Sequence, residues 1–332
     1  MKKIILFLLL IIPMNVYAIP KNMILMDRDT NRILYSKNIH EKKLIASTTK
    51  IMTAVIAIES GKLDDKIKIN DSVLKAYGSG IYVSVGETLT LRELVYGLML
   101  RSGNDAALAI EDYLGGHDKF VSKMNEKAAK IGMKDTIFYN SCGLDEEEGN
   151  LSTAYDMALL MKYALNLYDF TVITSTKNIT IKTDQKTYEW KNKNKLLFRY
   201  KYTTGGKTGY TKKAKRTLVT SASKNDINLI AVTFNDPDDF DTHKELYEKA
   251  FKNYKKYLIL NMRKINIKTK KYKNKLYIKT NYYYSLKDNE RNNISKKVYL
   301  YKTSQKNNKV GYIEIKFKNK IVHKEPIYVK VK

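Results

Sequence analysis

The chain has 332 residues, 43 % of them hydrophobic and 11 % aromatic, enough to bury a sizeable core in two domains and too much for wholesale disorder. Lys and Arg number 61 against 34 Asp and Glu, a net charge of +27 that points to anionic surroundings. One cysteine, Cys142, excludes a disulfide framework and a Cys-rich zinc site, and four scattered histidines leave little room for a His-based metal centre.

Met1-Lys2-Lys3 is a short basic start, Ile4 to Met14 is almost wholly apolar, and Val16-Tyr17-Ala18 is a small-x-small cleavage site. That order predicts a secretory signal peptide over residues 1–18, and its apolar run falls short of the roughly 20 residues that span a bilayer. The mature chain is expected to begin near Ile19 and to work outside the cytoplasm, in the cell envelope or secreted, with no transmembrane helix. Residues 21–36 predict two short strands around the turn from Asp27 to Asn31. From Ser47 the pattern is helical, with Ile51, Met52, Val55, Ile56 and Ile58 at three-to-four spacing. Thr90 and Glu93 form a capping box ahead of Leu94, Val95, Leu98 and Met99. A helix follows Asn104, another is expected from about His117 to Ile131 with Gly132 just past its end, and Thr153 and Asp156 start a further one. Residues 171–235 return to strand pattern, and Lys244 to Tyr257 is helical. Helices and strands mix without strict alternation, which predicts an α+β domain. Past residue 260 the composition shifts: residues 261–332 hold 21 Lys and Arg against 4 Asp and Glu, with nine Tyr. The fragments KLYIKT, KVYLYKT, YIEIKFK and IYVKVK alternate in period two and predict a small antiparallel β domain. The expected division is a signal peptide (1–18), a catalytic domain (19–258) and a basic β-rich domain (259–332).

Three short motifs carry chemistry. Ser47-Thr48-Thr49-Lys50 is S-x-x-K. On a helix it places the Lys50 amine within reach of the Ser47 hydroxyl. Serine needs a base to take its proton, and a lysine desolvated beside a second cation can lose its own proton and serve. Ser72-x-x-Lys75 and Ser221-x-x-Lys224 match equally well, but only Ser47 opens a long apolar helix. Ser102-Gly103-Asn104 is S-x-N, between two helices, and offers a proton relay and an amide from one tight loop; Asn104 is also placed to cap the helix that follows. Lys207-Thr208-Gly209 is K-T-G and occurs once. A cation, a hydroxyl and a glycine on an edge strand suit a carboxylate whose backbone lies alongside. A phosphate-loop reading of Gly206-Lys207-Thr208 fails, because position 201 is Lys rather than Gly.

In that order, within an exported chain, the three motifs are the set shared by penicillin-binding proteins and class A β-lactamases. The chain resembles the low-molecular-mass penicillin-binding proteins, serine-type D-alanyl-D-alanine carboxypeptidases, over about residues 21–257. The resemblance extends to Leu25-Met26-Asp27, Leu34-Tyr35, Ala46 to Ala54, Val85-Gly86-Glu87, Ser102 to Ala107, Asn140 with Gly143-Leu144, Ser152 to Asp156 and Gly206 to Thr211. It implies a β-lactamase/transpeptidase-like catalytic domain, an antiparallel sheet flanked by helices, followed by a small all-β domain. It implies that Ser47 is the acylated nucleophile and Lys50 its general base, that Ser102 relays a proton and Asn104 holds a substrate amide, and that Lys207 and Thr208 receive the terminal carboxylate. Gly209 continues that substrate strand, and the backbone N–H groups of Ser47 and Tyr210 would form the oxyanion hole. The implied reaction removes the terminal D-Ala from peptidoglycan pentapeptide stems through an acyl-enzyme, with no metal or organic cofactor, and β-lactam antibiotics would acylate Ser47.

The sequence departs from the family pattern in three places. Ala214-Lys215-Arg216 stands where members commonly have Ala-Gly, IYVKVK lacks the apolar face of a C-terminal anchoring helix, and only His243 and Lys244 lie where some members supply an arginine. Two other functions compete. A class A-like β-lactamase would use a glutamate such as one of Glu146-Glu147-Glu148, which reads more simply as a solvated acidic loop. A non-catalytic envelope-binding protein would grip anionic polymer or lipid headgroups, rather than nucleic acid, through residues 261–332. Asp27 reads as a turn residue, Glu87 as a loop residue and Cys142 as a small packed side chain.

Overall fold

The computed structural model describes residues 20–330 apart from 146–147, 268 and 273–274, so the expected signal peptide, Glu146 and Glu147 lie outside the described residues. The first hairpin joins β1 (Asn22–Asp27) and β2 (Ile33–Lys37), and its turn is held by the Asp27 carboxylate, which accepts from the N–H groups of Asp29 and Thr30. β3 (Lys43–Leu44) leads into a 3-10 turn over Ala46–Thr49 and then α1 (Lys50–Glu59). β4 (Lys66–Lys68) pairs with β5 (Thr88–Thr90), and α2 (Leu91–Tyr96) opens on the expected Thr90–Glu93 capping box. A π turn over Gly97–Arg101 precedes α3 (Asn104–Tyr113), and α4 (His117–Ile131) ends at Gly132, whose φ of 91° only glycine adopts freely. β6 (Leu151–Ser152) precedes α5 (Ala154–Ala164), where the Thr153 side chain accepts from the Asp156 N–H as a cap. The chain continues through α6 (Tyr168–Ser175), β7 (Asn178–Lys182), β8 (Thr187–Lys191), α7 (Leu196–Arg199), β9 (Thr203–Thr211), β10 (Lys215–Lys224), β11 (Ile227–Phe234) and α8 (Asp239–Asn253). It ends in β12 (Lys255–Leu260), β13 (Leu276–Tyr277), β14 (Tyr282–Leu286), β15 (Ile294–Gln305), β16 (Lys309–Phe317) and β17 (Lys320–Val329).

Two expectations need correction here. Within the region expected as strand from 171 to 235, residues 171–175 belong to helix α6 and Leu196–Arg199 form α7: the β-branched run from Thr171 to Thr174 reads as strand, but Phe170 and Ile173, three apart, bury on one helical face. The helix expected over 244–257 begins at Asp239 and ends at Asn253, with Lys255–Leu260 in strand β12. Acidic residues at its start hid the first turn, where they complement the helix dipole.

The central sheet is antiparallel, in the order β2-β1-β11-β10-β9. Strand alternation divides its side chains between two cores. Ile24, Met26, Val219, Ile230 and Val232 face the main helical core with α1 and α5, while Leu25, Leu218, Leu229 and Ala231 pack with Leu246, Tyr247 and Ala250 of α8. Because both faces are covered, β11 is buried almost end to end. Lys207 pairs with Val219, so it shares that residue's face and points toward the helical side. β9 is the sheet's free edge, as the K-T-G motif requires.

A third core gathers Leu260, Leu276, Ile278, Val310, Ile313, Ile315 and Ile327 under the sheet β13-β17-β16-β15. β12 runs across residues 258 and 259 and pairs with β14. Arg32 ties this β-rich part to the first hairpin: its guanidinium makes paired hydrogen bonds of 2.8 and 2.9 Å to Glu290, donates to the Ser285 carbonyl, and lies 4.4 Å from the ring centre of Phe317.

Candidate active site

The 3-10 turn over Ala46–Thr49 alters the expected geometry of S-x-x-K. Ser47 precedes the α-helix, and Lys50 is the first residue of α1. In a 3-10 turn residues three apart eclipse, so the two side chains meet directly. The Lys50 amine lies 3.1 Å from Ser47 Oγ, 2.7 Å from Asn104 Oδ1 and 2.5 Å from the Cys142 carbonyl oxygen. Lys50 is wholly buried whereas Ser47 is partly open. Burial pushes the Lys50 amine down from 10.5 to about 8, with the Lys193 charge adding to the fall and the Cys142 and Asp105 sides opposing it. A neutral amine has two N–H groups and one lone pair. Asn104 and Cys142 offer only acceptor oxygens, so they take the two N–H groups and leave the lone pair facing the Ser47 hydroxyl.

Asn104 is the first residue of α3 and does not cap it. Its carbonyl end accepts from Lys50 and its amide end donates to the Tyr77 carbonyl at 2.6 Å, which fixes the orientation of the side chain. The neighbouring Asp105 carboxylate accepts from the N–H groups of Ile81 and Tyr82 and holds the 77–83 loop over the cleft. Ser102 lies in the left-handed region at φ 65°, a strained conformation for serine. Its hydroxyl accepts from the Lys207 amine at 3.0 Å, and that amine also donates to the Thr208 carbonyl at 2.7 Å. Burial, then the charges of Lys50 and Lys193, hold the Lys207 amine well below its usual range.

Thr208 is partly open beside the buried Gly209, and Tyr210 is 63 % exposed. β9 runs against the nucleophile turn. A Cβ on Gly209 would sit 2.4 Å from Thr217 Oγ1, 3.0 Å from the Ser47 nitrogen and 3.1 Å from the Thr48 nitrogen. The glycine therefore admits the strand to the positive end of the turn, where the first N–H groups have no intrahelical acceptor. A cleft of about 640 Å³ opens beside Asn104 and Cys142, walled by Tyr77, Leu108, Tyr139 and Leu144. The structure thus brings Ser47, Lys50, Ser102, Asn104, Lys207, Thr208 and Gly209 to one place from three segments.

Sequence reasoning missed the two backbone carbonyls, of Cys142 and Tyr77, and the positioning role of Asp105. It also missed Lys193, whose amine donates to Ser79 Oγ at 3.0 Å. Glu87 is no mere loop residue: it is fully buried and accepts from the Tyr188 hydroxyl, the Thr183 hydroxyl and the Ser84 N–H. Ser221, in one of the competing S-x-x-K matches, is buried on β10, where residues three apart face opposite sides. Lys215, where members commonly have glycine, adopts φ 61°, so a side chain sits on a left-handed backbone there. His243 is buried between Thr220 and Thr233, away from the cleft face of the sheet. Among the described residues no three His, Cys, Asp or Glu converge to hold a metal ion, and no helix is long and apolar enough to cross a membrane.

The family model described as peptidase S11, D-alanyl-D-alanine carboxypeptidase, matches residues 15–238. D-alanyl-D-alanine carboxypeptidase DacF of Bacillus subtilis is 39 % identical over 221 residues, covering 64 % of this chain and 57 % of its own, so the chain spans little more than half of that relative. DacB2 of Mycobacterium tuberculosis is 33 % identical over 208 residues, 62 % of this chain and 72 % of its own. Penicillin binding protein 5 of Haemophilus influenzae superposes with a TM-score of 0.80 at 25 % identity, over 93 % of this chain and 96 % of that one.

Proposed function

The chain belongs to the D-alanyl-D-alanine carboxypeptidase family, peptidase S11, and we propose that it removes the terminal D-Ala from peptidoglycan pentapeptide stems through an acyl-enzyme on Ser47. The observation that carries this reading is the buried Lys50 amine, 3.1 Å from Ser47 Oγ and lowered to about 8. At pH 7 about one-tenth of such an amine is neutral, against less than about one-thousandth for an ordinary lysine. Neutral Lys50 takes the Ser47 proton as Oγ attacks the carbonyl of the penultimate residue. The N–H groups of Ser47 and Tyr210 receive the developing oxyanion. The proton passes by way of the Ser102 hydroxyl to the leaving nitrogen, and the C–N bond breaks to free D-Ala. Water then attacks the ester, gives its proton to Lys50, and returns Ser47 to its starting state. Lys207 and Thr208 receive the terminal carboxylate: burial opposes the charged form of the Lys207 amine, and an arriving carboxylate supplies the partner that restores it. Asn104 keeps Lys50 in line and offers its amide to the stem. A β-lactam would enter the same cleft and acylate the same oxygen.

Export by residues 1–18 and retention of the basic residues 261–332 at an anionic envelope polymer complete the reading. The test is a synthetic stem pentapeptide ending in D-Ala-D-Ala. Release of one D-Ala and the tetrapeptide is expected, with none from Ser47→Ala; release of the dipeptide, or undiminished trimming by the variant, would refute the assignment.

A further inference from the structure

We propose that the outer face of the C-terminal four-stranded sheet binds the glycan strand from which the carboxylate-bearing stem peptides hang; this rests on the peptidoglycan reading above. Alternation puts Leu276, Ile313, Ile315 and Ile327 into the core beneath β13-β17-β16-β15. On the opposite face the register gathers a different set. Tyr277 lies opposite Tyr328, Tyr299 opposite Tyr312, and Glu314 opposite both Lys297 and Lys324.

The rings form pairs. Tyr299 and Tyr312 stack with centres 5.0 Å apart, Tyr301 approaches Tyr312 at 6.3 Å, and Tyr277 lies 5.7 Å from Tyr328. All five are only partly buried. A lysine stands over four of them: Lys297 over Tyr299 at 5.2 Å, Lys309 over Tyr301 at 6.0 Å, Lys324 over Tyr312 at 5.1 Å and Lys279 over Tyr328 at 4.2 Å. The face's acid, Glu314, is buried and answered by Lys316 at 3.2 Å and Lys324 at 3.8 Å, so the surface remains cationic. Four strands at the usual spacing make this row about 14 Å across.

This chemistry favours one occupant. Rigid rings with apolar faces suit the flat C–H faces of sugar rings, and amines interspersed among them suit carboxylates. A polymer of phosphate and small polyols would leave the tyrosines unused, and a lipid surface calls for apolar side chains that insert rather than rings that stack along a sheet. Ring contact survives salt, whereas exposed amine–carboxylate contact is screened.

The test uses the full-length protein with purified glycan strands stripped of phosphate polymers, measured by co-sedimentation. Tyr299→Ala with Tyr312→Ala is expected to lower retention at least tenfold at 0.15 M salt, while Lys279→Gln with Lys297→Gln lowers it at low salt only. Both double variants should trim a soluble stem peptide at the unaltered rate. Unchanged retention in the folded tyrosine variant overturns the proposal. So does retention of the wild type only by anionic phospholipid vesicles, or only by walls that keep their phosphate polymers. The soluble-peptide rate reports separately on the cleft, so a failed catalytic assignment is distinguishable from a failed surface.

Discussion

Acylation by a penicillin should quicken with pH and level off above about 8. The perturbation is pH alone, and the responding group is Lys50, whose amine burial pushes down to about 8. Only the neutral amine can accept the Ser47 proton. Its share is about 1 % at pH 6, about 9 % at pH 7 and about half at pH 8, so the acylation rate should rise nearly tenfold over the first unit and about fivefold over the second. A lysine at the ordinary value would keep rising nearly tenfold per unit to about pH 9 and level off only above about 10.5. Intact mass of samples quenched along a time course, at several pH values, gives the rates. Lys193 sharpens the test, because its charge is one cause of the fall. Lys193→Gln should move the plateau to higher pH and slow acylation at pH 7, by less than the whole displacement since burial is the larger cause. A rate that is flat from pH 6 to 8, or one still climbing tenfold per unit at pH 9, would refute the reasoning. Stability responds in a fixed direction as well. The unfolded chain holds a proton on this amine up to about 10.5, so between about 8 and 10.5 it binds more protons than the folded one, and this group's contribution to stability rises with pH there.

Three other outcomes are expected. Gly209→Ala would drive a methyl against Thr217 and the backbone nitrogens of Ser47 and Thr48, displacing β9 from the nucleophile turn and slowing acylation tenfold or more, on the order of what a misplacement under 1 Å costs; acylation at the wild-type rate would contradict the close approach. Arg32→Ala would take two charge-assisted hydrogen bonds from Glu290, whose side chain is 12 % exposed, and leave it the Lys287 N–H and Lys318 at 3.9 Å; it should lower stability to urea by roughly 1.5–3 kcal/mol, and a loss under about 1 kcal/mol would show that the joint is not held there. The penicilloyl-enzyme should persist for many minutes, while rapid release of the opened drug would favour the β-lactamase reading.

Much of this site was legible because its residues combine special chemistry with element boundaries. Ser47 precedes an apolar helix, the S-x-N loop lies between two helices, and K-T-G occurs once on an edge strand. The capping residues Thr90 and Thr153 were equally plain, since a cap is a local hydrogen bond between near neighbours. What the pattern hid is tertiary. The Cys142 and Tyr77 carbonyls that orient Lys50 and Asn104 are backbone atoms, which any residue type supplies. Lys193 was one lysine in a run of alternating Lys and Asn until the fold brought it near the cleft. The helix at Tyr168–Ser175 escaped because its β-branched residues favour strands until Phe170 and Ile173 find the core.

The central claim, that one hydroxyl becomes a nucleophile through a buried amine beside it, is tested most directly by intact mass after exposure to penicillin G, with Ser47→Ala alongside. The wild-type chain should gain the mass of one penicillin molecule, mapped by peptide digestion to Ser47, and the folded variant should gain nothing. Covalent capture by the variant, or attachment at another residue, would contradict the account.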